Sequence, residues 1–195
     1  MTTSTLRRPH LAGARVAILL AAFGASVGLR VAIGGPGVAQ SPAAGLVFAA
    51  CLLGLALAAG TRLVVTRRAL LTGLIGGALI SAPVGLSHLL SLRPLYGTAG
   101  FASWAVVVAV VAGAEEMFLR GTLYDAVDGL AGPGWAIGLA ALVFGMLHVL
   151  LYGWHVIPLD LAVGIVLGLL RSWTGTASAP AVAHVVADLC GWFLR

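Results

Sequence analysis

Charged residues are scarce in this chain. Lysine is absent, and the first half of the chain has no acidic residue. Asp, Glu, Lys and Arg make up only 9% of the 195 residues, and all six acidic residues lie at or after Glu115. A soluble domain has about a quarter charged residues. The composition therefore excludes an ordinary soluble domain, and it confines any acid-dependent chemistry to the second half of the chain.

Cysteine is also rare, and two other signals are absent. Cys51 and Cys190 lie in apolar runs without a CxxC spacing, so neither a disulfide nor a reactive thiolate is predicted. The HExxH signature of many zinc peptidases does not occur. The arginines lie at the ends of apolar segments rather than in one stripe, which argues against nucleic acid as a partner.

Apolar sequence is abundant, at 61% of the residues. Several apolar runs reach the length that crosses a bilayer, about 20 residues. The fold class predicted is all-α, a polytopic transmembrane helical bundle of about seven (six to eight) spans, with lipid as its surroundings. The chain is interpreted as a single membrane domain, 1–195, in which residues 1–100 are scaffold spans. The predicted helices are Val16–Ile33, Ala43–Ala59, Ala69–Leu90, Phe101–Gly129, Trp135–Leu151, Val156–Arg171 and Ala179–Leu194.

Proline and glycine refine this prediction. Pro83 predicts a kink in the third helix, or a break that would raise the count to eight. The glycine-rich segments 34–37 and 132–134 predict turns between spans. Pairs of glycines four residues apart predict close helix packing. These pairs are Gly24 with Gly28, Gly73 with Gly77, and Gly164 with Gly168.

The distribution of arginine predicts the orientation. With the N-terminus in the cytoplasm, eight of the eleven arginines lie at inner ends of spans, and Arg30, Arg93 and Arg195 lie at outer ends. The inner eight are Arg7, Arg8, Arg15, Arg62, Arg67, Arg68, Arg120 and Arg171. Arginine in place of lysine, with much alanine and glycine, indicates a bacterial source of high GC content, and hence the plasma membrane.

The most informative polar residues are two adjacent acids inside an apolar helix. Glu115 and Glu116 interrupt the run Val106–Leu119, and Arg120 follows one turn later. A carboxylate at bilayer depth costs at least a few kcal/mol, so it indicates a functional site with a partner. Glu116 and Arg120 share a helix face and can form an ion pair. Glu115 points about 100° away, which leaves it available for chemistry.

Two further pairs stand at the same spacing. Phe144 precedes His148 by four residues and can wall off the cavity of the imidazole. His184 precedes Asp188 by four, and the carboxylate can fix the tautomer of the ring. Each pair alone could be structural. Because three polar groups on three apolar helices cannot all face lipid, we expect them to face one another.

A glutamate and two histidines in one pocket can activate water. The carboxylate takes a proton, and an imidazole orients the water or protonates the leaving amine. Glu115, His148 and His184 also match a zinc shell of two histidines and one glutamate, so a divalent metal and metal-free water activation both stay open. A shared site requires helix four to continue to near Gly129 and the connection 172–179 to dip into the membrane.

These motifs resemble the CPBP family of intramembrane metalloproteases, which includes the type II CAAX prenyl endopeptidases and the Abi proteins. The EExxxR pattern stands at 115–120, FxxxH at 144–148 and HxxxN/D at 184–188. The resemblance covers residues 101–194 and implies a catalytic core there. It implies that Glu115 with His148 activates water, that His184 with Asp188 supports the oxyanion, and that Glu116 and Arg120 hold the site together. The sequence has Asp188 where Asn is common, and a carboxylate has no amide to donate, so Asp188 either stays protonated or orients His184.

The function predicted is an intramembrane endopeptidase that hydrolyses peptide bonds of membrane-associated or hydrophobic peptides, with a peptide or protein as substrate partner. Two alternatives remain. Acid and histidine on facing helices also suit a proton- or ion-coupled carrier, although inverted repeats are not evident. A catalytically inactive membrane scaffold would tolerate loss of the Glu115 carboxylate.

Overall fold

A computed structural model of the protein describes residues 9–91, 95 and 97–194 and contains only helices and connections over these ranges. The helices are α1 (Pro9–Gly34), α2 (Pro42–Ala58), α3 (Arg67–Leu90), α4 (Phe101–Glu116), α5 (Tyr124–Ala131), α6 (Pro133–Tyr152), α7 (Ile157–Thr174) and α8 (Ser178–Phe193). Short 3₁₀ helices connect α1 to α2 (Gly35–Gln40) and α6 to α7 (Trp154–Val156), and a π-helix (Met117–Leu123) joins α4 to α5. The all-α polytopic bundle is confirmed.

Among the described residues, five stretches of helix are long and apolar enough to cross a membrane, by length and composition. They are Leu11–Gln40, Arg67–Leu90, Phe101–Ala131, Pro133–Tyr152 and Trp154–Thr174. The other two predicted spans correspond to shorter helices, α2 with 17 residues and α8 with 16. The seven predicted helices are therefore all present, and the protein is a multi-pass membrane protein.

Capping residues and glycines mark the connections between the helices. Ser41 caps α2 by accepting a hydrogen bond from the backbone N–H of Ala44, and Pro42 follows at the first helical position. Gly132 separates α5 from α6 with a φ of 90°, a conformation that L side chains rarely adopt. Both predicted glycine-rich turns are confirmed.

Pro83 does not divide the third span. Helix α3 continues from Arg67 to Leu90 with the proline inside it, so the predicted break into two pieces is wrong. Apolar spans tolerate proline because neighbouring groups and local adjustments satisfy the freed backbone. The alternative count of eight spans is therefore not supported.

Two of the three glycine pairs pack as predicted. A Cβ added at Gly73 or Gly77 would lie 2.6 Å from a valine of α8, so these glycines allow α3 and α8 to approach closely. Gly164 and Gly168 of α7 have the same role against α6. A Cβ added at Gly24 or Gly28 would meet no described residue within 4 Å, so within the described part of the chain the close packing predicted for this pair is wrong.

The fourth span is longer than a bilayer requires, and this length positions the site. Helix α4, the π-helix and α5 form one apolar stretch over Phe101–Ala131, which confirms that the helix continues past Gly129. π-helical segments are rare and occur mostly at functional sites. Here the π-helix begins directly after Glu116, and its Thr122 hydroxyl lies 2.7 Å from that of Thr61.

The surface of the bundle suits a lipid environment. In α3, Leu74, Ile75 and Leu79 expose half or more of their side chains. A soluble protein rarely leaves a contiguous apolar face of this kind uncovered.

Two arginines in the orientation count are buried rather than placed at a membrane surface. Arg30 is 6% exposed and Arg120 is fully buried, which removes one arginine from each side of the count. Arg7, Arg8, Arg93 and Arg195 lie outside the described residues. The cytoplasmic N-terminus therefore stays a prediction.

Candidate active site

Glu116 is the centre of a buried polar network. Its Oε1 accepts hydrogen bonds from Arg120 Nη1 at 2.6 Å and from His184 Nδ1 at 3.0 Å. The Glu116 and Arg120 side chains have no exposed surface. The predicted i, i+4 ion pair is present, and the same carboxylate also fastens α4 to α8.

The network extends to α7 through backbone carbonyls. Arg120 Nη2 donates to the carbonyl of Gly164 at 3.1 Å. Arg171 Nε donates to the carbonyl of Arg120 at 2.7 Å, and Arg171 Nη2 pairs with Asp125 at 2.6 Å. The π-helix is thereby fixed against α7 by charged donors, which form the stronger class of hydrogen bonds.

Phe144 of α6 touches three members of the predicted site. Its ring centroid lies 4.3 Å from that of His148 and 5.3 Å from that of His184. The guanidinium carbon of Arg120 lies 5.0 Å from the Phe144 ring centroid. The ring therefore separates the buried network from the imidazole of His148, and the predicted Phe144–His148 contact is present.

A cavity of about 810 Å³ lies beside this network and contains the predicted catalytic groups. Glu115, His148, His184 and Asp188 all line it. The expectation that they face one another is therefore met for these four groups. Glu116, Arg120 and Phe144, predicted as supporting residues, are not among its lining residues.

The partner of Glu115 comes from the first helix. Arg30 Nη1 lies 3.7 Å from Glu115 Oε1, and both side chains are at least nine-tenths buried. The Arg30 guanidinium also lies over the ring of Phe48, 4.9 Å from its centroid. Sequence analysis counted Arg30 only as an arginine at the outer end of a span. The same rule that singled out Glu115, a charge inside an apolar run, would have found it.

The wall of the cavity includes further residues that sequence analysis did not single out. Gln40 and Ser41 line it from the connection between α1 and α2, and Tyr152 lines it from the end of α6. The Tyr152 ring lies 5.8 Å from that of His148, centroid to centroid. Residues 1–100 thus contribute part of the cavity in addition to spans.

The hydrogen bond of His148 determines which of its ring nitrogens can act as a base. Nδ1 lies 2.9 Å from the backbone carbonyl of Phe144, and a carbonyl can only accept. The proton therefore sits on Nδ1, and in the neutral ring Nε2 carries the free lone pair. This is the tautomer that accepts a proton from water or a substrate group at Nε2.

His184 forms its hydrogen bond with Glu116 rather than with Asp188. Its Nε2 lies 3.6 Å from Asp188 Oδ2, which is beyond hydrogen-bond distance, whereas its Nδ1 bonds Glu116 at 3.0 Å. Asp188 is within ion-pair distance of the ring, and its predicted role in orienting His184 stays a prediction. Asp188 is 38% exposed and faces the cavity as an acceptor.

The metal alternative requires three ligands at one point. Among the residues that the structure describes, no three His, Cys, Asp or Glu side chains are grouped so that they could hold a metal ion. The guanidinium of Arg30 beside Glu115 would also repel a cation there. The arrangement does not fit the zinc shell of Glu115, His148 and His184.

The fold and the cavity together define a class, that of polytopic helical membrane proteins with acid and imidazole groups in a cavity between the spans. Residues 97–190, just under half of the chain, match the family model of the type II CAAX prenyl endopeptidases, Rce1-like, which supports the resemblance to the CPBP family. The matched segment contains every site residue predicted from the motifs. No curated protein and no solved structure matches the chain.

Proposed function

We propose that the protein is an endopeptidase that hydrolyses peptide bonds of membrane-associated or hydrophobic peptides in the cavity beside Glu115. The observation that supports this most strongly is the shared lining of one cavity by Glu115, His148, His184 and Asp188. The match to this family model supports protease chemistry in general. A cavity of this size accommodates a short extended segment of peptide.

In the proposed reaction, Glu115 takes a proton from a water molecule while Nε2 of His148 holds that water by accepting its second proton in a hydrogen bond. The water oxygen forms a bond with the carbonyl carbon of the scissile peptide. The electron pair of the C=O bond moves to the oxygen. When that pair returns, the C–N bond breaks, and the proton held by Glu115 passes to the leaving nitrogen.

The other residues of the site hold the catalytic groups in position. Glu116, held by Arg120, fixes the ring of His184 at the cavity wall. Phe144 limits the rotation of His148, and the Phe144 carbonyl selects its tautomer. No step in this proposal passes through a metal ion, and metal dependence is a separate question for experiment.

The proposed location is the bacterial plasma membrane with a cytoplasmic N-terminus. Helices α1, α6 and α8 contribute their C-terminal parts to the cavity, and α2 contributes its N-terminal part. The long fourth span, Phe101–Ala131, contributes its N-terminal half, from Ser103 to Glu115. In this orientation the cavity would open toward the outer side of the membrane. Reaction of Gln40→Cys with an impermeant thiol reagent in intact cells, compared with Thr66→Cys at the other end of the bundle, tests it.

The proposed function is tested by comparing membrane proteomes of cells that carry the unmodified protein or Glu115→Gln at equal abundance. We expect uncleaved precursors to accumulate in the variant and the new peptide termini to disappear. A chelator arm tests metal dependence. Unchanged termini with altered ion or proton flux would favour the carrier, and unchanged termini with intact partner binding would favour the scaffold.

A further inference from the structure

The predicted catalytic groups of the cavity are mainly hydrogen-bond acceptors, and hydrogen-bond donors are harder to identify among them. Glu115 and Asp188 present carboxylates, and His148 Nε2 carries a lone pair because Nδ1 donates to the Phe144 carbonyl. His184 Nδ1 is occupied by Glu116, and its Nε2 points toward Asp188. Hydrolysis of an amide, however, places negative charge on the carbonyl oxygen, and that charge requires a donor.

Arg30 has donors without partners at this place. Its Nε and Nη1 are buried and make no hydrogen bond with any residue that the structure describes. The 3.7 Å separation from Glu115 is an ion-pair contact and is too long for a hydrogen bond. A buried guanidinium with unused donors costs free energy unless a ligand or water satisfies them.

The position of Arg30 is fixed rather than mobile. The guanidinium lies over the buried ring of Phe48 on one side and beside Glu115 on the other, and the side chain lines the cavity. The exposed part of the Arg30 side chain lines the cavity beside Glu115, so an oxygen atom attached to the carbon that the water attacks would lie within reach of the positive charge of the guanidinium. A charge held in place before the reaction is more effective than one that must reorganise.

We propose that Arg30 is a catalytic residue that binds the oxyanion of the tetrahedral intermediate, and that the cavity is accordingly a binding site for a tetrahedral anion flanked by apolar peptide. This inference rests on the proposed function for its biological meaning, but the anion site exists independently of turnover. Helix α1, which the motifs of the chain do not include, thereby supplies the donor that the Asp188 carboxylate lacks.

The test uses two probes that differ in charge and by one small ester group. One is a short hydrophobic peptide in which a phosphonate monoester, an anion, replaces one peptide bond, and the other is its neutral diester. Calorimetry of the full-length protein in detergent measures both affinities. We expect the anion to bind more tightly than the diester by roughly 10²-fold or more, in the range of measured oxyanion donors.

Four variants separate the contribution of Arg30 from a structural effect. Arg30→Gln should abolish the preference for the anion, and Arg30→Lys should retain part of it. Arg15→Gln, the same change at an exposed site of α1, should leave it unchanged. The double variant Arg30→Gln/Glu115→Gln has no unpaired charge, so it addresses the case in which Arg30→Gln alone fails to fold.

Glu115→Gln distinguishes this inference from the proposed function. It should retain or improve binding of the anionic probe, because it removes a negative charge from the site, while it abolishes hydrolysis. Anion binding that depends on Arg30 without any hydrolysis by the unmodified protein would uphold the inference and refute the peptidase. Equal binding of both probes, no binding of the anion, or an unchanged preference in Arg30→Gln would overturn the inference.

Discussion

The two adjacent glutamates of this protein occupy opposite environments, and the contrast explains how the site divides its work. Glu116 has no exposed surface and bonds both Arg120 and His184. Glu115, one residue earlier, turns into a cavity of about 810 Å³, and its nearest described cation is 3.7 Å away. The 100° step between neighbours on a helix is sufficient to produce both environments.

This division assigns different roles to similar groups. Glu116 is fully buried, and its Oε1 accepts hydrogen bonds from both a guanidinium and an imidazole. Because water does not reach this carboxylate, Glu116 acts as structure. Glu115 lines the cavity, and Arg30 balances its charge without forming a hydrogen bond to it. Changes on the cavity side should therefore affect turnover, and changes on the network side should affect folding.

The largest expected effect on the cavity side, apart from that of Glu115, comes from His148. His148→Asn can keep a hydrogen bond to the Phe144 carbonyl but lacks the Nε2 lone pair. We expect turnover to fall by roughly 10²- to 10⁴-fold, the usual contribution of a general acid–base group. Stability should change little, and Met146→Leu on the lipid-facing side of the same helix serves as the control. Turnover within threefold of normal would remove His148 from the mechanism.

The largest effect on the network side should follow from removal of Arg120. Arg120→Met leaves Glu116 buried without its guanidinium partner, which typically costs about 3–5 kcal/mol of unfolding free energy. The double variant Glu116→Gln/Arg120→Met should recover part of this loss, since no unpaired charge remains. Unfolding in mixed micelles measures both, with the exposed Arg62→Met as control. A loss below about 1 kcal/mol would contradict the assigned structural role.

A smaller effect is expected at Gly77, which allows α8 to pack so closely against α3 that His184 reaches the network. A Cβ at Gly77 would lie 2.6 Å from Val186 and 2.8 Å from the Ala183 carbonyl. Gly77→Ala should therefore cost about 1–3 kcal/mol through overpacking. Gly24→Ala meets nothing within 4 Å and should be neutral or slightly stabilising. Equal effects of the two substitutions in the same unfolding assay would show that this packing does not control the position of α8.

The smallest expected effect is that of metal removal. Because no described group of three side chains is arranged to hold a metal, we expect purified protein to keep its turnover after treatment with a strong chelator. Measurement of metal content alongside activity completes the test. Loss of activity that returns on addition of zinc would mean that the side chains rearrange around a metal, and the distinct role of Glu115 would need revision.

Contacts within one helix could be predicted from the sequence, whereas the specific partners of a residue on other helices could not. Local spacing predicted the Glu116–Arg120 and Phe144–His148 contacts, since i and i+4 positions share a helix face. It also placed Asp188 near His184, but it missed Glu116, a carboxylate from another helix that lies closer to the ring. Spacing within one helix carries no information about competition from a neighbouring helix.

Two other features depend on packing across the bundle. Arg30 reaches Glu115 from a helix 85 positions earlier in the sequence, and its role becomes visible only when α1 and α4 are brought together. The π-helix after Glu116 has no signature in the residues Met117–Leu123. The helix count and the length of the fourth span, in contrast, were predictable because apolar periodicity and turn residues are local.

The most direct test of the central claim compares turnover of Glu115→Gln with that of the unmodified protein, both purified and returned to liposomes. A library of hydrophobic peptides analysed by mass spectrometry provides the substrate, and the helical content and unfolding midpoint of both proteins are measured in the same samples. The account predicts a variant that is as folded as the unmodified protein and cleaves no peptide. Cleavage by Glu115→Gln at the normal rate, from the same peptides, would contradict it.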